Sequence, residues 1–117
     1  MDLNASLRSH NTFGFEVKAH QLAHIEQFDD IPVFADLAGK AKSWQLLGGG
    51  SNVVLSADLP GVTGIMVIQG KSLVESTAEY DLVQACAGEN WHDFVTWTLE
   101  QGYPGLENLA LIPGTVG

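Results

Sequence analysis

The chain has 117 residues, 45% of them hydrophobic, and its 14 acidic against 5 basic side chains give a formal net charge of −9. This length predicts one domain with a modest core, and the negative charge argues against nucleic acid, whose binding needs a basic surface. No stretch has the character of a signal peptide or a membrane span, and a single cysteine excludes an internal disulfide. We therefore expect a cytoplasmic protein in a reducing compartment, with no membrane partner.

The first half of the chain predicts strands around one helix. Alternating apolar residues indicate strands, and apolar residues at helical spacing, with Pro32 in the first turn, indicate the helix. A loop is expected over 57–61. The predicted strands cover 15–25, 44–47, 53–55 and 64–69, and the predicted helix covers 31–41.

The second half predicts a hairpin and then a helix. Two strand-like segments, 72–77 and 80–87, flank Ala78 and Glu79, which predicts the hairpin. The helix covers 90–101, with Asn90 as its N-cap and Gly102 at its end. A loop or short helical turn is expected over residues 104–111. Strands and helices in this order predict a mixed α+β fold.

The most informative segment is the glycine-rich turn between the predicted strands 44–47 and 53–55. Consecutive peptide N–H groups without side chains can form a concave nest that binds a phosphate or pyrophosphate. No Gly-Lys-Ser/Thr follows, so the turn is not a Walker A loop, and a β-branched run follows where a dinucleotide fingerprint needs a helix. From spacing alone, a plain glycine turn between strands explains the segment equally well.

Four motifs together carry a family resemblance. In this order they resemble the N-terminal part of the MurB family, the UDP-N-acetylenolpyruvoylglucosamine reductases of peptidoglycan synthesis, and the resemblance covers residues 11–117. The motifs are Asn11-Thr12-Phe13-Gly14, Leu47-Gly48-Gly49-Gly50-Ser51-Asn52, Gly88-Glu89-Asn90-Trp91 and Gly105-Leu106-Glu107-Asn108-Leu109-Ala110-Leu111-Ile112-Pro113-Gly114-Thr115-Val116-Gly117.

The resemblance implies an FAD-binding domain of the PCMH type, which is also called vanillyl-alcohol-oxidase-like. Its small βαβ lobe would cover 1–70, and the start of a larger antiparallel lobe would cover 71–117, without the family's C-terminal substrate-binding domain. FAD would lie between two glycine turns, one from each lobe. The residues implied to bind the cofactor are Gly48, Gly49, Gly50, Ser51, Asn52, Val53, Ile112, Pro113, Gly114, Thr115, Val116 and Gly117.

The resemblance also implies a reaction. In the family, NADPH reduces FAD, and the reduced flavin delivers hydride to the enolpyruvyl group of a UDP-sugar to give UDP-N-acetylmuramate. The family's catalytic arginine, serine and glutamate lie beyond the second glycine turn, so no catalytic residue is assigned here, and no metal or protein partner is implied. We expect the 117-residue chain to be inactive, to bind FAD weakly or not at all, and to self-associate through exposed apolar edges.

Two other functions stay open: another PCMH-type flavin oxidoreductase, and a non-catalytic nucleotide-binding module. Other polar residues have structural interpretations. His20 and His24 lie about 13 Å apart on one predicted strand, too far for one metal, and His92 is expected on a solvated face. We expect Asn11-Thr12-Phe13-Gly14 to cap or pack, Glu107 and Asn108 to orient the second turn, Glu89 to favour the helix N-terminus, Cys86 to be buried in a strand, and Trp91, Phe94 and Leu99 to be core.

Overall fold

The computed structural model describes residues 1–117 as six strands, two α-helices and two short 3₁₀ turns. The 3₁₀ turns cover Arg8–His10 and Glu107–Leu109. The other elements are β1 (Asp2–Ser6), β2 (Lys18–Ile25), α1 (Asp30–Lys40), β3 (Trp44–Leu47), β4 (Leu59–Met66), β5 (Lys71–Ser76), β6 (Asp81–Ala85) and α2 (Trp91–Glu100).

Two sheets make up the fold, which confirms the α+β class. The first sheet has the strand order β1-β2-β4-β3, in which β2, β4 and β3 run parallel and β1 runs antiparallel to β2. The second sheet is the antiparallel hairpin β5–β6 predicted from the sequence. The division of the chain into two lobes at residue 70 stays a prediction. Because β3 runs parallel to β4, the first glycine turn leaves the carboxyl edge of the sheet, the edge where ligands bind in parallel sheets.

The first sheet buries apolar side chains on both faces. On one face, Phe34 of α1 packs against Ile25 and Val62. Residues three apart in a strand point to opposite faces, so Leu22 and Ile65 face the other side. On that side, loop residues cover the sheet and complete a second buried apolar cluster. This cluster contains Leu7, Val17, Ala19, Leu22, Leu47, Leu55 and Ile65.

Helix α2 begins and ends where the sequence predicts. The Asn90 side chain accepts a hydrogen bond from the Asp93 N–H at 2.9 Å, which is the expected N-cap. At the other end, Gly102 has φ +79°, the left-handed conformation that ends helices. The buried face of α2 consists of Phe94, Val95 and Thr98. The prediction of Leu99 as core is wrong, because its side chain lies on the exposed side of the helix.

Two strand predictions and one loop prediction need correction. Residues 53–55 form no strand, because Leu55 packs as a side chain into the core while its backbone pairs with no neighbour. β4 begins at Leu59, inside the predicted loop 57–61, and ends at Met66 rather than at position 69. Pro60 and Gly61 hid this start, since both are unusual in strands; they lie where the pairing with β2 shifts its register between Ala19 and Gln21.

Two smaller differences concern single elements. Strand β1 is absent from the predicted elements; Leu3 and Ala5 alternate with polar residues, but the strand has only five residues and most of them are exposed. Cys86 lies just after β6 rather than in the strand, and it is partly buried against the α1 side of the core. Both α-helices fall short of the length and hydropathy that a bilayer-spanning helix requires.

Candidate cofactor-binding cleft

The first turn, residues 48–53, presents most of its backbone N–H groups without internal partners. β3 ends at Leu47, and none of the N–H groups of residues 48–52 donates a hydrogen bond to any protein acceptor. Gly50 is buried and has φ +70°, a conformation that favours glycine. Consecutive unpaired N–H groups of this kind are the donors of a backbone anion nest.

The loop 7–15 packs directly behind this turn. A Cβ atom on Gly50 would lie 2.0 Å from the His10 carbonyl oxygen and 2.8 Å from the Asn11 Cα, so the backbone there accepts only glycine. The Thr12 N–H donates to the Gly50 carbonyl oxygen at 3.0 Å. The back of the turn is therefore occupied by protein, and only its other side is open to a ligand.

The second turn, residues 112–117, is attached to the segment before α2. The Val116 N–H donates to the Glu89 carbonyl oxygen at 2.9 Å, and the Gly117 N–H to that of Ala87 at 3.0 Å. The Trp91 N–H donates to the Gly114 carbonyl oxygen at 3.0 Å. The N–H groups of Gly114 and Thr115 have no protein acceptor and stay available to a ligand.

The two turns meet and line one cleft of about 250 Å³. A Cβ on Gly48 would lie 2.6 Å from both the Gly117 carbonyl oxygen and the Thr115 Oγ1, and a Cβ on Gly114 would lie 2.8 Å from the Ser51 Oγ. Ten of the twelve predicted cofactor-binding residues line this cleft: Gly48, Gly49, Gly50, Ser51, Asn52, Val53, Pro113, Gly114, Thr115 and Gly117. The other two, Ile112 and Val116, do not.

No lysine, arginine or histidine lines the cleft. Its donors are the unpaired N–H groups together with the Ser51 hydroxyl and the Asn52 amide, while the Thr115 hydroxyl is engaged with the Gly117 carbonyl oxygen at 2.7 Å. Neutral, fixed donors suit a phosphate diester or pyrophosphate whose charge is shared over several oxygens. Glycine at five of the lining positions, 48, 49, 50, 114 and 117, also leaves room for the close approach of a ligand.

Glu89 supports the second turn from a buried position. Its carboxylate accepts the Gly70 N–H at 2.7 Å and lies 3.5 Å from the Lys71 Nζ. Through its own carbonyl oxygen it also holds Val116. Glu89 therefore links the start of the hairpin, the N-terminus of α2 and the second turn, a structural role that goes beyond the predicted helix-end effect.

The N-terminal residues of helix α2 hold the segment that precedes the second glycine turn. The Leu111 N–H donates to the His92 Nδ1 at 3.0 Å, and the Trp91 Nε1–H donates to the Leu109 carbonyl oxygen at 2.8 Å. His92 is therefore only partly solvated, because the helix start faces this segment. Glu107 is exposed and accepts the Gly105 N–H at 2.6 Å; hydrogen bonds from the backbone of Glu107 and Gly105 lower the pKa of its carboxyl group.

Sequence reasoning missed a histidine pair behind the first turn. The rings of His10 and His24 have centroids 5.7 Å apart. The pKa of His10 is lowered from 6.5 by burial and, to a smaller extent, by the charge of His24. The two residues are distant in sequence, and no local pattern around either one indicates the contact.

Comparison with known proteins fits this geometry. Residues 5–117 match the model of a family described as FAD binding domain. The chain belongs to this FAD-binding family. Both glycine turns lie within the matched residues, so the cleft is part of an FAD-binding domain.

The FAD-binding domain has similar relatives of greater length. It is 50% identical over 115 residues to a UDP-N-acetylenolpyruvoylglucosamine reductase of Polynucleobacter asymbioticus, covering 97% of this chain and 33% of the relative. It is also 50% identical over 116 residues to the enzyme of the same name from Paraburkholderia phymatum, covering 95% of this chain and 32% of the relative. The chain thus spans about one third of the length of the curated relatives it matches.

A solved structure supports the fold. The crystal structure of UDP-N-acetylenolpyruvylglucosamine reductase (MurB) from Thermus caldophilus matches with a TM-score of 0.69 at 24% sequence identity, covering 97% of this chain and 38% of that chain. At this identity the match concerns the fold. Together with the family match, it confirms the predicted PCMH-type FAD-binding fold.

Proposed function

We propose that the chain is the FAD-binding part of an NADPH-dependent UDP-N-acetylenolpyruvoylglucosamine reductase, which forms UDP-N-acetylmuramate for peptidoglycan in the cytoplasm. One observation supports this most directly: two glycine turns, distant in sequence, line a single cleft with unpaired N–H groups and no cationic side chain. A dinucleotide diphosphate is a ligand that needs several fixed donors in a row. The relatives named for this reaction support the choice of substrate.

The residues of the cleft have separable roles in this proposal. The N–H groups of the first turn, with the Ser51 hydroxyl and the Asn52 amide, would hold the diphosphate. Gly114 and Thr115 of the second turn would contact FAD from the opposite wall. When bound, FAD supplies the hydride chemistry, and this chain's residues bind and orient it. We propose no catalytic proton donor among the present residues, and we expect no turnover by the 117-residue chain alone.

The decisive binding test adds one negative charge to the cleft. Asn52 is exposed and makes no hydrogen bond within the protein, so Asn52→Asp changes charge while keeping shape. We expect the FAD affinity of the full-length protein to fall at least about tenfold, because a carboxylate would face the diphosphate. Asn4→Asp is the matched control, since Asn4 is also exposed but lies in β1, outside the cleft. Equal FAD affinity in both variants, measured by flavin fluorescence, would contradict the proposal.

Two alternatives are separated by the same protein. A PCMH-type oxidoreductase of other substrates would bind FAD but would not oxidise NADPH in the presence of the UDP-enolpyruvyl sugar. A non-catalytic nucleotide-binding module would bind ADP and show no preference for FAD. The reductase proposal predicts both FAD binding and sugar-dependent NADPH oxidation. FAD binding without this oxidation would favour the other oxidoreductase, and the absence of a preference for FAD would favour the nucleotide-binding module.

A further inference from the structure

The motif Asn11-Thr12-Phe13-Gly14 has no role in the cleft itself, yet it lies directly behind the first turn. Asn11 is buried, with 6% of its surface exposed. Its Nδ2 donates to the carbonyl oxygens of Leu7 at 2.7 Å and Phe15 at 3.2 Å, and its Oδ1 accepts the Phe15 N–H at 2.9 Å. One side chain thus closes the whole loop 7–15 from inside, using both ends of its amide.

The closed loop delivers one hydrogen bond to the first turn. Residues 11–14 form a tight turn, in which the Gly14 N–H donates to the Asn11 carbonyl oxygen at 3.2 Å. This geometry brings the Thr12 N–H to the Gly50 carbonyl oxygen at 3.0 Å. No other N–H from outside the turn donates to that carbonyl oxygen, so Thr12 is its external backbone partner.

That hydrogen bond also determines the direction of a donor in the cleft. The Gly50 C=O and the Ser51 N–H belong to one peptide group, and the structure contains no cis peptide bond. In a trans peptide group the C=O and N–H point in opposite directions. Holding the Gly50 carbonyl towards Thr12 therefore turns the Ser51 N–H away from the loop, to the side on which a ligand can reach it.

We propose that Asn11 is a positioning residue of the first turn: it holds the loop 7–15 closed, so that Thr12 aims the Ser51 N–H at a diphosphate in the cleft. The proposal rests on the proposed function for the identity of the ligand. Asn11 touches no ligand in this scheme; it acts through Thr12 and Gly50. The contribution is a preorganised donor, whose orientation is set before the ligand arrives.

Two variants test different links of this chain of contacts. Asn11→Asp keeps the acceptor for Phe15 but replaces the donor by an oxygen facing the carbonyls of Leu7 and Phe15. Thr12→Pro removes only the N–H that holds Gly50. Proline fits there, because Thr12 is the second residue of a tight turn and the preceding Asn11 has φ −144° and ψ 142°, values that a residue before proline adopts.

The control variant loses a buried hydrogen bond elsewhere. The Thr98 hydroxyl is fully buried and donates to the Val95 carbonyl oxygen at 2.7 Å within α2. Thr98→Val therefore also removes a buried hydrogen bond to a backbone carbonyl oxygen, but at a position outside the cleft. We expect both Asn11→Asp and Thr12→Pro to lower the FAD affinity of the full-length protein about tenfold. Thr98→Val should leave it within about twofold, although its melting temperature also falls.

A spectroscopic measurement separates positioning from loss of stability. In the unmodified protein, inorganic pyrophosphate should shift the Ser51 amide signal in a ¹H–¹⁵N spectrum, and in Thr12→Pro the shift should vanish while the rest of the spectrum stays dispersed. FAD affinity within twofold of the unmodified value in both loop variants would overturn the inference. If the unmodified protein binds no FAD, the proposed function fails by itself. The Ser51 shift with pyrophosphate then decides the positioning role, and its absence overturns that role as well.

Discussion

In both turns of the cleft, a backbone N–H from another segment holds one carbonyl group of the turn, but the two N–H groups come from different segments. In the first turn a backbone N–H from outside, that of Thr12, holds the Gly50 carbonyl; in the second, the N–H of Trp91 holds the Gly114 carbonyl. Because each carbonyl shares a trans peptide group with the following N–H, both contacts turn a donor away from the support. The donors so directed are those of Ser51 and Thr115, which line the same cleft.

The turns differ in how much backbone they leave unpaired. None of the N–H groups of residues 48–52 has a protein acceptor, whereas in the second turn Val116 and Gly117 are already hydrogen-bonded to the segment before α2. The first turn is therefore shaped for an anion and supported from behind by packing. The second turn is an extension of a short antiparallel contact, with only its tip available. Changes that affect one support should leave the other intact.

Replacing Gly50 should have the largest effect on the first turn. Gly50→Ala forces a Cβ into a left-handed conformation and against the His10 carbonyl oxygen, so we expect the free energy of unfolding to fall by about 3 kcal/mol. Urea denaturation measures this loss. Gly39→Ala is the control, since it lies in α1 with no atom near the added methyl group, and it should gain up to about 1 kcal/mol. A variant at position 50 that unfolds at the unmodified midpoint would refute the packing argument.

Removing the Glu89 carboxylate should weaken the second turn. Glu89→Ala removes the buried carboxylate that accepts the Gly70 N–H, and we expect a loss of about 2 kcal/mol in urea denaturation. Glu89→Gln keeps an acceptor and loses only the contact with Lys71, so its loss should be under about 1 kcal/mol. Hydrogen exchange at Thr12 should stay slow in both variants. Equal losses in the two variants would mean that the ion pair, rather than the Gly70 contact, supports the turn.

Acid should weaken the support of the first turn through His10. Burial and His24 lower the pKa of His10 in the folded protein below 6.5, so the unfolded chain binds this proton more tightly. The His10 contribution to stability is therefore complete above about pH 7 and is lost as the pH falls through 6.5 towards the folded pKa. Denaturation midpoints between pH 7.5 and 5 should fall less steeply in His10→Gln than in the unmodified chain. His20→Gln, on an exposed β2 residue, should keep the full slope.

The smallest expected effect is that of a single hydroxyl. Ser51→Ala removes one donor from the cleft, and we expect FAD affinity to fall about threefold, with stability unchanged within about 0.5 kcal/mol. Ser56→Ala, at an exposed loop position outside the cleft, is the control and should change neither quantity. A larger loss at Ser51 than in Thr12→Pro would mean that the hydroxyl, rather than the aimed N–H, carries the binding.

Prediction from sequence succeeded where the signal was local. Asn90 with Asp93 indicated the start of α2, Gly102 indicated its end, and the hairpin followed from its flanking strands. It failed at 53–55, where β-branched residues indicated a strand but the backbone is not part of either sheet. The packing of Leu55 as a loop residue against Leu47 and Leu7 depends on the assembled core, which local propensity does not describe.

The site shows the same limit. The motifs contain all the residues that line the cleft, whereas Ile112 and Val116, which the same resemblance implied, do not line it; the binding of the cofactor by these residues stays a prediction. The interpretation of His92 as solvated omits one contact, because its partner, the Leu111 N–H, comes from a segment that folds back over α2. A helix start is solvated by default, and only the returning chain changes that.

The sequence by itself determined where the backbone can bend without side chains, where α2 is capped, and that cationic residues are too few to make a basic binding surface. The tertiary structure alone decided which peptide groups remain unpaired and which way they point. The physical reason is that a glycine turn is flexible in isolation, and its peptide planes become oriented only when distant N–H groups, Thr12 for Gly50 and Trp91 for Gly114, take hold of its carbonyls.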